Sequence, residues 1–472
     1  MTASDLGRAH RVLVCDLVGL RHNKDGRPDF SEVRDHVIST GEAFHLGPYR
    51  GQDLAADSIH FFYLPELSRE DEFLEEAGEG RYDAVIAAAT TVPEDAYFPL
   101  GGVRIGAGTG NMRSASWGGP GGIGGEAPLM NTPGFNSRAT AQMAFKALLD
   151  TVPDLPMAHL HARVMAGDFD TGRHLADYPT AKLEGRRLAV LGYGNIGREV
   201  AWLGRAFDME VSVYARACHR DRIEGEGFAH AQTPQEAARG ADVLSIHLGL
   251  GRLDEETGRS ANVGLIGDQI LRALAPGAVI VNFDRGEVVD TDALGRALDA
   301  GTIQRVCVDA DIFVDDAGTV TGPLAPYRTL ATRHEARMLL LPHAAADTDH
   351  PSRVAGAKQA VDQIRDAIRH RRITNLKGDL PSGYVDAGQV SPMGVAEISE
   401  HSLLAFAQNR GALARLRGLS SEIAAFVSAL EAAGDDEARR EILRMGAESF
   451  LRNTSRQTTL LRSSGLLVAY EK

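Results

Sequence analysis

The sequence has little of several features that would place a protein in a specialised class. It contains only 3 cysteines among 472 residues, Cys15, Cys218 and Cys307, and none of them forms a CxxC pair. This spacing argues against a disulfide framework and against a cysteine zinc site, and it favours a reducing cytoplasm. No stretch approaches the roughly 18–20 consecutive apolar residues that a membrane span requires. We therefore expect a cytoplasmic protein with no membrane partner and no metal.

Positive charge is scarce relative to negative charge. The 50 Lys and Arg residues face 64 Asp and Glu residues, so the net charge is −14. Such a charge repels polyphosphate backbones and no local basic patch offsets it, so we expect no nucleic-acid partner. The remaining composition, 43% hydrophobic and 24% charged, is typical of globular proteins and excludes disordered, collagen-like and coiled-coil chains.

What the sequence does have is a regular alternation of short apolar runs and longer segments of helical periodicity. The runs are rich in Val, Ile and Leu and show no polar alternation: VLVCDL, HFFYL, DAVIAAA, VRIGAG, LAVLGYG, EVSVYA, VLSIHL, AVIVNF, RVCVDAD and MLLLPH. Such runs are typical of strands that are buried on both faces of a parallel sheet. Strand–helix alternation predicts doubly wound α/β domains.

Two segments interrupt this alternation. Residues 101–125 are dense in glycine, which predicts a loop after Gly108; we hypothesise that residues 113–125, with Trp117, form a lid or a specificity loop. A linker at 377–394 precedes a tail without strand signals, in which apolar residues recur at helical spacing. We expect a helical packing or oligomerisation appendage, with a part in covering the active site as the alternative.

The segment LGYGNIG places Gly192, Gly194 and Gly197 between an apolar run and a predicted helix. In that context the glycines allow a tight turn, close approach of a pyrophosphate and close packing of helix on strand, with the helix N-terminus facing the phosphates. We predict a dinucleotide site that includes these glycines together with Asn195 and Ile196.

The next apolar run ends on Ala215 and Arg216, where an Asp or Glu would bind the ribose hydroxyls of NAD. Without that acid, Arg216 can pair with a 2′-phosphate, helped by His219 and Arg220 nearby. We therefore favour NADP over NAD. The alternative is that Arg216 stacks on adenine or lies in solvent.

Three further segments place polar residues just beyond apolar runs. Arg285 follows AVIVNF, the acids Asp309 and Asp316 fall within or after RVCVDAD, and His343 ends MLLLPH. Ligands bind outside the carboxyl ends of such strands. Each residue has an alternative explanation: Arg285 could form a surface ion pair, either acid could cap a helix, and His343 could be a turn residue. Together the residues favour an active site.

With these segments in place, the sequence resembles the D-2-hydroxyacid dehydrogenase superfamily, whose best-known branch contains the 3-phosphoglycerate dehydrogenases. The matching stretches arrive in the order of the family and span most of residues 100–350: NTPGFNSRATAQMA, LGYGNIG, VNFDRGEVVDTDALGRAL, GTIQRVCVD and LLPHAAADT.

The resemblance implies a role for each candidate residue. It implies that Arg285 holds the substrate carboxylate and keto oxygen and that His343 is the general acid/base. It also implies that Asp309 contacts the nicotinamide carboxamide. It also makes the backbone at Ala107 and Gly108 the receiver of the substrate carboxylate.

The acid that partners the histidine in the family is usually a Glu, and this chain departs from that pattern. Counting five residues from Asp309 gives Val314, whereas aligning DIFVDD on the motif of the family gives Asp316. We predict Asp316 as the partner, with Asp315 as the second choice. We also place His247, which follows VLSI, among the cofactor-binding residues.

The resemblance further implies an inserted Rossmann cofactor domain and a flavodoxin-like substrate domain. The tail is not part of the family core, and its helical spacing predicts a helical C-terminal extension. The expected boundaries are 1–148 and 345–382 for the substrate domain, 149–344 for the cofactor domain and 383–472 for the extension. A homodimer through the cofactor domain is expected.

The implied function is hydride transfer between a nicotinamide cofactor, NADP or NAD, and C2 of a small D-2-hydroxy acid or 2-keto acid. Phosphorylated and phosphonylated substrates are among the candidates, because Arg104, Arg113 and Arg138 lie near the substrate loop in the sequence. The favoured alternative for these three residues is that they are solvated surface arginines. The alternative is a dinucleotide-sensing binding protein of the corepressor type, which has no physiological turnover.

Overall fold

The computed structural model describes residues 7–17, 24, 26–65, 67, 69–152, 155–251, 253–254, 258–314, 317–343, 349–390, 410–440 and 442. The strands are β1 His10–Val14, β2 Ala43–Leu46, β3 Ile59–Tyr63, β4 Ala84–Ala87, β5 Gly102–Arg104, β6 Leu129–Asn131, β7 Arg187–Leu191, β8 Glu210–Tyr214, β9 Ala229–Ala231, β10 Val243–Ile246, β11 Leu253–Asp254, β12 Arg259–Ser260, β13 Ala278–Asn282, β14 Ile303–Ala310, β15 Phe313–Val314, β16 Val320–Thr321, β17 Met338–Pro342, β18 Arg372–Ile373, β19 Leu376–Lys377 and β20 Val385–Asp386. The helices are α1 Ser31–Ser39, α2 Glu70–Ala77, α3 Ser137–Thr151, α4 Met157–Met165, α5 Thr171–His174, α6 Asn195–Ala206, α7 Arg220–Gly225, α8 Pro234–Ala238, α9 Asp268–Leu271, α10 Thr291–Asp299, α11 Ala325–His334, α12 His350–His370 and α13 Arg410–Ala432.

One seven-stranded sheet has the order β9-β8-β7-β10-β13-β14-β17, and all its strands are parallel. This is the dinucleotide-binding order 3-2-1-4-5-6 with one strand added. Its strands are buried on both faces: in β13, Ala278 and Ile280 belong to one apolar cluster, while Val279 and Val281 belong to the cluster on the opposite face. The absence of polar alternation in AVIVNF is thereby explained.

A second seven-stranded sheet has the order β2-β3-β1-β4-β5-β6-β19. The strands β3-β1-β4-β5-β6 reproduce the flavodoxin-like order 2-1-3-4-5, and β2 adds a parallel edge strand next to β3. At the other edge β19 pairs antiparallel with β6. The prediction of two parallel-sheet α/β domains is confirmed.

The chain returns to this second sheet through α12. Apolar residues of α12, including Val354, Val361 and Ile364, share a buried cluster with Val12 and Ile86 of the sheet. Strand β19 then follows α12 and pairs with β6, so the sheet is built from two separate stretches of sequence.

The tail is helical where the structure describes it. Helix α13 spans Arg410–Ala432, and residues 436–440 form a further helical segment. Among the described residues, no helix is sufficiently long and apolar to cross a membrane.

The glycine-rich segment 113–125 is packed into the domain of the second sheet. It contains two 3-10 turns, Ala115–Trp117 and Gly119–Gly121. The buried Trp117 ring stacks on Phe98 with centroids 6.2 Å apart. The backbone N–H of Asp379 donates to the carbonyl of Gly122 at 2.8 Å. These contacts anchor the segment to the domain, and its role as a lid or specificity loop stays a prediction.

Candidate active site

A cleft with a volume of about 680 Å³ is lined by segments that follow the carboxyl ends of strands in both sheets. From the second sheet come the segments after β4, β5 and β6, and from the dinucleotide-binding sheet those at β13, β14 and β17. The cleft brings together six of the residues predicted from the sequence: Ala107, Gly108, Ile196, Arg285, Asp309 and His343.

The glycine turn between β7 and α6 has the geometry that a dinucleotide requires. Gly192 has φ +100°, and a Cβ there would lie 2.2 Å from the carbonyl oxygen of His247. A Cβ on Gly197 would lie 2.0 Å from the carbonyl oxygen of Gly192. Apart from its two chain neighbours, no described residue has an atom within 4 Å of a Cβ built on Gly194, which precedes the first residue of α6, Asn195. The first and third glycines thus allow the close packing, and the second leaves the helix N-terminus open to a pyrophosphate.

His247 lies behind this turn. Its side chain is buried, with 7% of the residue exposed, and its Nε2 is 2.8 Å from Oγ of Ser245. Burial lowers the pKa of His247 to about 3. The imidazole is therefore neutral at physiological pH, and it lines the inner side of the turn and not the cleft.

Arg216 lies at the adenosine end of the predicted site, after β8. Its side chain is exposed, and its Nη2 is 3.4 Å from Nε2 of His219. The preceding Ala215 is buried. Two basic side chains therefore stand together where an acidic residue would bind the ribose hydroxyls of NAD.

Arg285 is held at the cleft by the turn after β13. The side-chain amide of the fully buried Asn282 donates to the carbonyl of Arg285 at 3.0 Å. The guanidinium is 42% exposed and its Nη1 is 3.8 Å from Oδ2 of Asp311. A Cβ on Gly108 would lie 3.7 Å from Nη2 of Arg285, so the loop predicted to receive the substrate carboxylate faces this guanidinium.

That loop follows β5 and is fixed by the last residue of β6 and the residue after it. The side-chain amide of Asn131 donates to the carbonyl of Ala107 at 2.6 Å. The N–H of Gly106 donates to Oγ1 of Thr132 at 2.9 Å. Both bonds hold the loop backbone in place. Among the described residues, no acceptor bonds the N–H groups of Ala107 and Gly108, which therefore can serve a ligand.

His343 follows β17 and pairs with a carboxylate from the neighbouring strand β14. Its Nδ1 is 2.6 Å from Oδ1 of Asp309, whose side chain is only 4% exposed, whereas the imidazole is 31% exposed. The hydrogen bond to Asp309 raises the pKa of His343, against the effect of burial. The pairing leaves Nε2 of the imidazole as the nitrogen that can serve a substrate.

The predicted partner of His343, Asp316, lies outside the described residues, as does Asp315. Among the carboxylates that the structure describes, the one that contacts His343 is that of Asp309. The resemblance instead implies that Asp309 contacts the nicotinamide carboxamide. Strand pairing explains the contact: Asp309 and Leu341 are register partners across β14 and β17, which brings Asp309 within reach of the residue just after β17.

Two further carboxylates of the cleft, Asp284 and Asp311, were not predicted from the sequence. Burial raises the pKa of Asp284 to about 6, with a smaller effect from Asp309, while Arg285 and His343 oppose the shift. The signal was present in the sequence, because Asp284 directly precedes Arg285 in VNFDRG.

Residues 155–345 match the model of the family described as D-isomer specific 2-hydroxyacid dehydrogenase, NAD binding domain. A glyoxylate reductase from Aeropyrum pernix is 32% identical over 239 residues, which cover 50% of this chain and 65% of that protein. The chloroplastic D-3-phosphoglycerate dehydrogenase 2 of Arabidopsis thaliana is 26% identical over 277 residues, which cover 59% of this chain and 39% of that protein. The chain thus spans less than two thirds of the length of either relative.

Solved structures share the fold. A glyoxylate reductase from Paecilomyes thermophila superposes with a TM-score of 0.53 at 23% identity, covering 78% of this chain and 98% of that chain. A cofactor (NAD+)-bound 3-phosphoglycerate dehydrogenase from Entamoeba histolytica gives 0.52 at 17% identity, covering 77% and 96%. Residues 155–345 are thus similar to the NAD binding domain of D-isomer specific 2-hydroxyacid dehydrogenases, and the chain shares its fold with these solved structures.

Proposed function

We propose that the protein is a nicotinamide-dependent oxidoreductase that interconverts a small 2-keto acid and the corresponding D-2-hydroxy acid. The observation that carries the proposal is the convergence of Arg285, the His343–Asp309 pair and the loop at Ala107 and Gly108 on one cleft. A guanidinium, a proton donor and a carboxylate-binding loop are the groups that reduction of a 2-keto acid needs.

In this proposal each residue has one task. When bound, a nicotinamide cofactor supplies or accepts the hydride. Arg285 binds the substrate carboxylate with two parallel hydrogen bonds and polarises the C2 carbonyl. Protonated His343 gives its Nε2 proton to the C2 oxygen as negative charge develops there, and Asp309 stabilises the imidazolium through Nδ1–H. In oxidation, neutral His343 takes the proton of the substrate hydroxyl.

The finer proposal for the cofactor is NADP. It is supported by Arg216 and His219, which stand together at the end of β8, and by the absence of an acid at Ala215 that would repel a 2′-phosphate.

The finer proposal for the substrate is a keto acid with a second anionic group, such as a phosphorylated or phosphonylated one. Arg104 and Arg113 line the cleft together with Arg285. Arg138 does not line it, and its Nε is 3.5 Å from Oε2 of Glu199. Two guanidinium groups beyond Arg285 are thus positioned to attract a second anion.

We also propose a homodimer with α4 at its interface. Helix α4 contains no buried residue, and Met157, Val164 and Met165 expose most of their side chains. An apolar patch of this kind is typical of an interaction surface. Light scattering of the purified protein should give twice the chain mass of 50.6 kDa; a monomer would contradict the proposal.

The function is tested with a panel of neutral, dicarboxylic and phosphorylated 2-keto acids, each assayed with NADH and NADPH. We expect turnover, with the highest kcat/KM for a keto acid that has a second anion. In Arg216→Asp, KM for NADPH should rise by about 10-fold or more, because the pairing is replaced by repulsion, while KM for NADH changes little. Tight cofactor binding without turnover on the whole panel would favour the dinucleotide-sensing alternative.

A further inference from the structure

A buried carboxylate, Glu226, lies just after α7 and gathers donors from α6. Its side chain is 10% exposed and that of Arg198 is 8% exposed. The Nη2 of Arg198 is 2.8 Å from Oε1 of Glu226, and Nε donates to both carboxylate oxygens at 2.9 Å. The indole N–H of Trp202 donates to Oε2 at 3.0 Å. Glu226 is thereby hydrogen-bonded to side chains from the first two turns of α6.

The same carboxylate also accepts a hydrogen bond from the glycine turn. Tyr193 stands between Gly192 and Gly194, and its hydroxyl donates to Oε2 of Glu226 at 2.8 Å. The Tyr193 ring is 4% exposed and packs edge-on against Phe228, with centroids 6.1 Å apart. The turn and the helix that it opens are therefore attached to one residue that lies 33 positions further along the chain.

The electrostatics favour a rigid arrangement. Burial works against ionisation of Glu226, but hydrogen bonds from Arg198, Tyr193 and Trp202 outweigh it and hold the pKa of Glu226 below its usual range. A buried ion pair whose remaining oxygens accept further hydrogen bonds specifies one geometry, because any displacement leaves charge uncompensated.

We propose that Glu226 is a positioning residue for the dinucleotide, acting through Tyr193 and Arg198 on the glycine turn and the N-terminus of α6. The inference rests on the proposed cofactor binding. The N–H groups at this turn bind a pyrophosphate only if the backbone stays within a few tenths of an ångström of its productive geometry. Glu226 does not line the cleft and has no contact with the substrate loop among the described residues, so its effect should be confined to the cofactor.

The other domain contains a matched cluster that serves as a control. Glu76, on α2, has an 8% exposed side chain and a salt bridge to Arg50, with Nη1 2.9 Å from Oε2. The hydroxyl of Tyr82 donates to its Oε1 at 2.6 Å. Neither residue lines the cleft or adjoins the glycine turn. The carboxylate and the tyrosine of this cluster match Glu226 and Tyr193 in chemistry and burial, although the Arg50 side chain is 62% exposed and that of Arg198 only 8%. The cluster has no connection to the cofactor site.

The experiment compares Glu226→Gln and Tyr193→Phe with Glu76→Gln and Tyr82→Phe in the full chain. Dissociation constants for NADH and NADPH are measured by fluorescence titration, and the midpoint of urea unfolding reports stability. We expect similar losses of stability in both pairs. Only Glu226→Gln and Tyr193→Phe should raise the Kd for both cofactors, by on the order of 10-fold for Glu226→Gln and less for Tyr193→Phe, while KM for the keto acid stays unchanged.

Unchanged Kd values in Tyr193→Phe and Glu226→Gln would overturn the inference, as would an equal rise in the Glu76 and Tyr82 variants. If Glu226→Gln does not fold, Tyr193→Phe decides the question, because it removes only one hydroxyl group. Failure of the proposed function is distinguishable: the wild-type protein would then bind NADH or NADPH without turnover of any keto acid, and the comparison of Kd values would still test the inference. A wild-type protein that binds neither cofactor would overturn the proposed cofactor binding and the inference with it.

Discussion

Two histidines follow strands of the same parallel sheet, and their surroundings give them opposite acid–base properties. His247 follows β10, is buried behind the glycine turn and has its pKa lowered to about 3 by burial. His343 follows β17, is partly exposed to the cleft and has its pKa raised by the hydrogen bond to Asp309. A position at the end of a strand is therefore not sufficient for a histidine to act as an acid. The histidine also needs a neighbouring carboxylate and access to the cleft.

The largest effect should come from removing the cleft histidine. In His343→Ala, kcat for reduction of the keto acid should fall by about 10²–10⁴-fold, because no group remains to protonate the developing alkoxide. The Kd for NADPH, measured by fluorescence titration, should stay unchanged. Wild-type turnover in this variant would remove His343 from the mechanism and would make the two histidines equivalent.

A smaller effect should follow from removing the carboxylate that distinguishes His343 from His247. Reduction needs imidazolium, so kcat/KM should be constant below the raised pKa of His343 and should fall as the pH rises through it. In Asp309→Asn the fall should begin at lower pH, with a loss of about 10-fold at high pH for each unit by which the pKa drops. An unshifted pH profile would show that Asp309 does not tune His343.

The smallest effect should appear in the stability of a variant of the buried histidine. Because the folded pKa of His247 lies below the unfolded value of about 6.5, its contribution to stability is present above pH 6.5 and is lost as the pH falls toward 3. Between pH 6.5 and pH 5 the wild-type protein should lose about 2 kcal/mol that His247→Gln retains. Urea unfolding at the two pH values measures the difference.

In the same measurement, His343→Gln should change the pH dependence of the free energy of unfolding in the opposite direction. The folded pKa of His343 is raised, so its contribution is present below pH 6.5 and is lost as the pH rises through the raised value. If the free energies of unfolding of the two variants changed with pH in the same direction, the contrast between the two histidines would be wrong.

The sequence predicted most strands of the two sheets and missed those without an apolar run. All ten apolar runs contain strands of the two sheets, because an uninterrupted run of Val, Ile and Leu is a signal that does not depend on distant residues. Four strands of the two sheets were missed: β2, β6, β9 and β19. Each has two to four residues, and its strand conformation depends on a neighbouring strand that offers its backbone.

The candidate site was predicted in part. Arg285, His343, Asp309, Ala107 and Gly108 share one cleft, while their catalytic roles stay predictions. Motif order was sufficient to bring them together, because ligands gather at the carboxyl ends of parallel strands. The carboxylate that contacts His343 could not be read from the motif, since the resemblance assigns the partner to Asp316 and the geometry brings Asp309 to the imidazole.

The sequence alone determined what depends on neighbouring residues: the glycine turn, where Gly192 and Gly197 leave no space for a side chain, and the strand–helix alternation of both domains. Only the tertiary structure decided which histidine faces the cleft and which carboxylate contacts it. The physical reason is that a pKa depends on burial and on charges a few ångströms away, and Asp309 and His343 become neighbours only when β14 and β17 pair.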